Sequence, residues 1–189
     1  MSVSADQARW DARYADPPPA RPPEAFLVAH LAQLPVGRAV DLAGGVGRHA
    51  LWLAGLGHDV LLADVSAVGL AVARDRAEAA GLSIRTIRLD LLTELPEGPF
   101  ELIVLTWFLL GDRWAELAAQ LAPGGVVAVV HPTRGNLERH AHPSARWLLA
   151  EGELADRVAA AGLEAVVLEE GWDDAGQHTA RCIARRAAG

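Results

Sequence analysis

Hydrophobic residues along the chain gather in short runs of strand length, separated by stretches with helical periodicity. The runs at 39–42, 59–64, 83–89, 101–106 and 126–131 are each bounded by Gly, Pro, Asp or Ser and are predicted as strands. Between them, AVGLAVARDRAEAA predicts a helix over 67–80, with Ser66 as its N-cap and Gly81 as its left-handed C-terminal residue. A second helix is expected to begin near Arg48. A third runs from an Asp112 cap through Leu121, with the PGG at 123–125 stopping it and turning the chain into the next strand. Strands alternating with helices imply a parallel sheet covered on both faces. The last third departs from this pattern: a helix at 153–161, a strand at 163–169, a turn through GWDDAG and a strand at 178–185. Two strands joined by so short a link must be antiparallel. The expected fold is therefore α/β, a Rossmann-like doubly wound sheet, mostly parallel, that ends in an antiparallel hairpin.

The first 23 residues are polar and proline-rich, ending in PPPARPP, and read as an extended N-terminal arm. A short helix over 24–34 follows, and residues 24–189 read as a single domain. Residues 132–150 are the one long irregular connection, either a lid or a surface crossover.

At 189 residues, with 51% hydrophobic and 22% charged, the chain can build one substantial core but not separate cofactor and substrate domains. The net charge of −7, without any cluster of five or six basic residues, argues against a nucleic-acid partner. Cys182 is the single cysteine, which leaves no disulfide framework and no cysteine zinc site. No apolar leader precedes WDARYADPPP, and no apolar run reaches the roughly 18 residues of a membrane span. A soluble, cytoplasmic chain without a membrane partner is expected.

The chemistry-bearing segment is AVDLAGGVGRHALWLA. Asp41 ends the first strand, and Ala43, Gly44, Gly45 and Gly47 lead into the helix. Bare backbone and free helix N–H groups there suit an electron-rich ligand. Gly45, Gly47 and Ala50 also satisfy G-x-G-x-x-A, and Asp64 lies 19 residues beyond Gly45, so both NAD and S-adenosylmethionine fit. Asp64 can accept ribose hydroxyls in either case. Asp41 favours the second ligand, since a carboxylate beside the turn repels a pyrophosphate and attracts an ammonium.

DLAGGVG at 41–47 resembles the acid-x-Gly-x-Gly-x-Gly motif of class I S-adenosylmethionine-dependent methyltransferases, with Ala43 in place of the first glycine, a change tolerated where φ is negative. The resemblance continues through VLLADVS, RLDLL, FELIVLTWF and LAPGGVVAVV. WDARY at 10–14, GELADRV and GQHTARCIARR are similar to the small tellurite-resistance-like and thiopurine-like branch. The resemblance implies seven strands in the order 3-2-1-4-5-7-6. It also implies that Asp41 and the turn of Ala43, Gly44, Gly45 and Gly47 hold the methionine part of the cofactor. Asp64 and Val65 would meet the ribose, and Asp90 with Leu91 the adenine. Thr106 completes the set, and Arg13 and Tyr14 would close over the cofactor carboxylate.

Methyl transfer from a sulfonium is an in-line displacement that demands mainly alignment and water exclusion, so no catalytic residue is assigned. No serine elbow, HExxH or Walker lysine loop competes with this reading. Thr106, Trp107 and Phe108 stand where amino-methyltransferases of this class carry Asn/Asp-Pro-Pro-aromatic, a second argument against nucleic acid. Trp107, His131, Arg134 and His178 are expected to form a cationic, aromatic-edged substrate pocket. In it a histidine would act as base and Arg134 would hold an anion. His140 and His142 lack a third ligand nearby, and no metal site is expected. The expected acceptor is a small molecule, reacting through sulfur, selenium or tellurium as the branch suggests, or through oxygen or nitrogen. A cofactor-binding sensor or partner subunit without chemistry is the alternative. A nicotinamide oxidoreductase is disfavoured, because Tyr14 is the lone tyrosine and the chain has no lysine.

Overall fold

The computed structural model describes residues 5–189. Its strands are β1 (Arg38–Leu42), β2 (Asp59–Asp64), β3 (Arg85–Arg88), β4 (Phe100–Thr106), β5 (Leu121–Pro132), β6 (Glu164–Trp172) and β7 (His178–Arg185). They form one sheet in the order β3-β2-β1-β4-β5-β7-β6. The first five run parallel, and β7 lies antiparallel between β5 and β6. The helices are α1 (Ala5–Tyr14), α2 (Ala25–Ala29), α3 (Arg48–Gly55), α4 (Ala67–Ala79), α5 (Trp114–Ala119) and α6 (Glu153–Ala160). The expected doubly wound architecture and strand order are therefore present.

Because successive strand residues point to opposite faces, each central strand feeds two cores. Val40, Ile103, Leu105, Val127 and Cys182 pack against Trp114, Leu117, Leu154 and Val158 of α5 and α6. Ala39, Leu102, Val104, Val126 and Ile183 pack against Phe26, Leu27, Ala50, Leu53, Leu70 and Ala73 of α2, α3 and α4. The α4 boundaries follow their local signals: Ser66 Oγ accepts the Gly69 N–H at 2.9 Å, and Gly81 has φ +66°.

Several expectations are corrected. The arm is not extended throughout: residues 5–14 form α1, which lies on α4, and the prolines begin only after it. Residues 24–34 split into α2 and a 3-10 turn. Asp112 does not cap α5, which starts after Arg113 with no side-chain cap; Asp112 Oδ1 instead lies 3.3 Å from Arg157 Nη1. The PGG at 123–125 lies inside β5. Leu121 pairs with Phe100 and Val126 with Leu102, so the extra residues bulge, with Gly124 at φ +75°. Gly125 is pinned there, since a Cβ would sit 2.8 Å from the Phe100 carbonyl. β6 continues through Trp172, leaving a tighter turn closed by the Asp173 N–H donating to Gln177 O at 2.8 Å. The connection after β5 carries two 3-10 turns and a Thr133–Leu149 bridge, so it is docked structure for much of its length.

Candidate cofactor and acceptor site

Parallel strands place their carboxyl ends at one edge of the sheet, and there a cavity of about 620 Å³ opens. Ala43 borders it after β1, Asp64 and Val65 after β2, and Asp90 and Leu91 after β3. Thr106, Trp107 and Phe108 follow from β4, and His131 from β5. Asp6, Arg9, Trp10, Arg13 and Tyr14 of α1 also line it, with Pro143 and Trp147 from the connection after β5.

The glycine turn is shaped by close contacts. A Cβ on Gly45 would lie 2.3 Å from the Tyr14 hydroxyl, and one on Gly69 2.8 Å from the Tyr14 ring. Both glycines thus leave room for the tyrosine of α1 rather than for a ligand. Ala43 adopts φ +55°, not the negative φ expected for an alanine, so the backbone keeps the conformation of the glycine that usually stands there. Gly47 has φ +84° and leads into α3.

Asp64 is 5% exposed and organises the turn: its Oδ2 accepts the Gly45 N–H and its Oδ1 the Ser66 N–H, both at 2.8 Å. Burial raises its pKa, while the N–H donors oppose the rise. Asp41 does not reach the cavity. It is fully buried, its Oδ2 accepts the Ala50 N–H at 3.0 Å, and a Cβ on Gly44 would meet that same oxygen at 2.3 Å. Burial pushes its pKa up to about 7, and the Asp64 charge adds to the rise. Its Oδ1 has no hydrogen-bond partner among the described residues. Burial raises the Tyr14 hydroxyl to about 12, with Asp64 adding to the effect, so it remains a donor. Asp90 makes a local turn, its Oδ1 accepting the Leu92 N–H at 3.0 Å.

Four polar residues that the sequence reading did not single out tie the cavity walls together. Asp11 Oδ1 accepts the Ser66 hydroxyl at 2.7 Å and the Val68 N–H at 3.2 Å, fastening α1 to the start of α4. Glu24 Oε1 accepts Trp107 Nε1–H at 2.7 Å and Arg48 Nη1–H at 2.6 Å. The Glu24 N–H donates to His49 Nε2 at 3.3 Å, which leaves the ring proton on Nδ1, 3.4 Å from Thr106 Oγ1. Burial holds His49 neutral, its pKa pushed down to about 3. These links join residues far apart in the chain, and the HA and PEA segments that contain His49 and Glu24 carry no sequence signal for them.

Of the four expected substrate residues, the fold brings two to the cavity. Trp107 is 45% exposed at its edge, with φ +59°. His131 is 5% exposed; Nε2–H donates to the Trp147 carbonyl at 3.0 Å, and buried Nδ1 has no partner among the described residues. Burial lowers its pKa, so the ring is neutral. Arg134 is exposed and does not line the cavity. His178 is turned away because it opens β7 opposite Trp172: its ring meets Trp172 edge-on at 5.2 Å and its Nδ1 lies 2.6 Å from Thr133 Oγ1. Trp107 and His131 of the expected pocket thus line the cavity, beside Arg9 and Arg13 of α1, and Arg134 and His178 do not. Among the described residues no group of three or more His, Cys, Asp or Glu side chains is arranged to hold a metal, and no helix is long and apolar enough to cross a membrane.

Residues 39–125 match the Methyltransferase domain family. Demethylmenaquinone methyltransferase of Thermus thermophilus is 36% identical over 101 residues, 49% of this chain. The chain spans about half the length, 46%, of that curated relative. The structure concerned with conversion of a disulfide bond into a thioacetal group during echinomycin biosynthesis superimposes with a TM-score of 0.75 at 24% identity, covering 97% of this chain and 93% of the other. TehB from Haemophilus influenzae gives a TM-score of 0.69 at 23% identity, covering 85% and 61%. The fold is Rossmann-like, and the matched segment contains the glycine turn, Asp64 and Asp90. The family match covers less than half of the chain, and the solved structures share its fold.

Proposed function

We propose that this protein transfers a methyl group from S-adenosylmethionine to a small-molecule acceptor. The observation that carries the reading is the convergence of Ala43 of the glycine turn, Asp64 and Asp90 on one cavity at the ends of three adjacent strands. The donor set fits such a ligand. Asp64 keeps acceptor capacity beyond its two N–H bonds and suits ribose hydroxyls, with Val65 beside it. Asp90 and Leu91 suit an adenine edge and face. Arg13 lines the cavity with no ion pair among the described residues and suits the carboxylate of the methionine part, with the protonated Tyr14 hydroxyl as a further donor. Asp41 acts behind Gly44, holding the turn and the start of α3, and adds negative potential near the ammonium. Gly45 and Gly47 shape the turn, and Thr106 borders the reacting end.

Bound S-adenosylmethionine supplies a methyl group already activated on a sulfonium. The chain's own residues then align the acceptor and exclude water, the latter through α1, which roofs the cavity. In this reading residues 1–23 are the closing arm of a single domain, 24–189. The acceptor is not nucleic acid, and the protein works in the cytoplasm. Placement in the tellurite-resistance-like and thiopurine-like branch rests on WDARY and the C-terminal segments.

Calorimetric titration with S-adenosylhomocysteine and, separately, NADH tests this function. Micromolar binding of the first alone is expected, weakened at least tenfold in both Asp64→Ala and Asp64→Asn. Binding of NADH instead, or of neither ligand, overturns the reading.

A further inference from the structure

Strand order divides the cavity. The ends of β3, β2 and β1 carry the groups suited to adenine, ribose and methionine, which leaves the ends of β4 and β5 as the acceptor half. The groups near that half that could take a proton are already engaged. His131 presents no nitrogen to the cavity: Nε2–H is committed to the Trp147 carbonyl and Nδ1 is buried. Thr106 Oγ1 faces the protonated ring nitrogen of His49 at 3.4 Å, which leaves the threonine hydroxyl a donor. From α1, Asp6 is paired with Arg9 at 3.0 Å, and the Tyr14 hydroxyl, raised to about 12 by burial, keeps its proton. Asp64 and Asp90 lie with the cofactor groups at the ends of β2 and β3. An acceptor that had to lose a proton during the transfer would find no ready base here.

This half offers aromatic faces instead. Trp107, Phe108 and Trp147 border it and make no ring–ring contact with one another among the described residues. Trp147 already carries a guanidinium, that of Arg146 at 5.1 Å, whereas no cation of the described residues lies over Trp107. The Trp107 backbone sits at φ +59°, a strained conformation for so bulky a residue, and is pinned on both sides. Its N–H donates to the Val130 carbonyl at 2.9 Å and its indole N–H to Glu24 Oε1 at 2.7 Å. Strain held in place at a cavity edge marks a functional position. An indole face attracts cations, and a carboxylate on the indole N–H enriches the ring in electrons. Building on the proposed methyl transfer, we propose that the acceptor is a nucleophile with no proton to lose, a tertiary amine or pyridine-type ring nitrogen, and that Trp107 stabilises the cation it becomes. The nitrogen lone pair forms the N–CH₃ bond as the S–CH₃ bond breaks with its electron pair going to sulfur. The positive charge passes from sulfonium to nitrogen, leaving a neutral thioether and a quaternary cation, and no proton moves. The uncharged acceptor enters among the rings as a flat or apolar body, and the indole face gains its attraction as the charge develops.

The test measures S-adenosylhomocysteine formation near neutral pH with quinoline and N,N-dimethylaniline, which have no proton to lose, and with 2-naphthol, aniline, thiophenol, selenite and tellurite. S-adenosylhomocysteine is titrated directly alongside. Turnover of the first two ahead of the rest is expected. On the protein saturated with S-adenosylhomocysteine, the product cation N-methylquinolinium should bind at least tenfold more tightly than its uncharged isostere 1-methylnaphthalene. Trp107→Leu should remove that preference and lower kcat/KM for quinoline about 30-fold. Trp107→Phe, which keeps a ring face, should lose less than tenfold, and both variants should hold S-adenosylhomocysteine within threefold of the wild type. If S-adenosylhomocysteine binds but a proton-bearing acceptor, selenite or tellurite is preferred, or neither nitrogen compound turns over, the acceptor assignment is wrong while the proposed methyl transfer stands. Equal binding of cation and isostere by the wild-type protein, a comparison that needs no variant, would remove the role given to Trp107. Failure to bind S-adenosylhomocysteine removes the methyl-transfer reading itself and this inference with it.

Discussion

The indole N–H of Trp107 donates to Glu24 Oε1 at 2.7 Å, across 83 residues of sequence, and the same oxygen receives Arg48 at the start of α3. Glu24 therefore fixes one wall of the acceptor half from the segment that follows the proline-rich arm. Trp107 needs the support, because its backbone is held at φ +59° and its ring is 45% exposed. Glu24→Ala should destabilise the fold by roughly 1–2 kcal/mol through loss of charged hydrogen bonds. The fluorescence of Trp107, isolated by difference against Trp107→Phe, should shift to the red, while affinity for S-adenosylhomocysteine changes less than twofold. An unshifted spectrum would show that the indole is held by something other than this carboxylate.

Tyr14 and Gly69 make a second long-range fit. Alanine ordinarily improves on glycine inside a helix by up to about 1 kcal/mol. Here the added Cβ would stand 2.8 Å from the Tyr14 ring and 3.3 Å from the Gly45 backbone. Gly69→Ala is expected to lift α1, speeding tryptic cleavage at Arg13 and weakening S-adenosylhomocysteine binding. Adding Tyr14→Ala should remove most of the cleavage effect. If Gly69→Ala leaves proteolysis unchanged, α1 does not depend on this contact.

Ala43 sits at φ +55°, where a Cβ is strained by about 1–2 kcal/mol. Ala43→Gly relieves that strain but gives the unfolded chain extra freedom worth about 0.4–1 kcal/mol. The expected net is a stabilisation of up to about 1.6 kcal/mol, measured by urea unfolding with an unchanged m-value. A loss of stability would place the alanine methyl in a favourable contact that outweighs the strain.

Asp41 makes stability pH-dependent in an unusual direction for a carboxylate. Its folded pKa, about 7, is above the ordinary aspartate value of 3.8, so the folded state holds the proton more tightly than the unfolded one. The contribution is fully present below about pH 4 and is lost as pH rises through about 7. Asp41→Asn, which can still accept the Ala50 N–H, should be insensitive in that window and so gain on the wild type as pH increases. Melting temperatures recorded from about pH 4 to 8 for the two proteins should diverge steadily; parallel curves would contradict the assignment.

Much of the fold is legible in local pattern. The β2 and β7 boundaries, the Ser66 cap and the Gly81 terminator all rest on residues within a turn of one another, and strand alternation with helices is enough to order the layers. Where local signals failed, a distant partner overruled them. Arg157 took Asp112 away from its capping position, and pairing of Leu121 with Phe100 drew a PGG sequence into a strand. α1 forms in a polar segment because α4 and Ser66 receive it.

The candidate site divides in the same way. Ala43, Gly44, Gly45, Gly47, Asp64, Asp90 and Thr106 follow the strand ends, and a parallel sheet brings strand ends together by its geometry alone, so their neighbourhood could be read from sequence. Which way a side chain points, and what already occupies it, could not. Asp41 turned into the protein, His178 was taken by Thr133, Arg134 faced water, and Glu24 and His49 acquired roles through contacts that exist only once α3, β4 and the proline-rich segment pack together. Sequence by itself determined the order of elements and the chemistry at their ends, since those depend on local periodicity and turn residues. Tertiary structure decided which polar groups remain free to meet a ligand, because a hydrogen bond to a residue dozens of positions away leaves no trace in the local pattern.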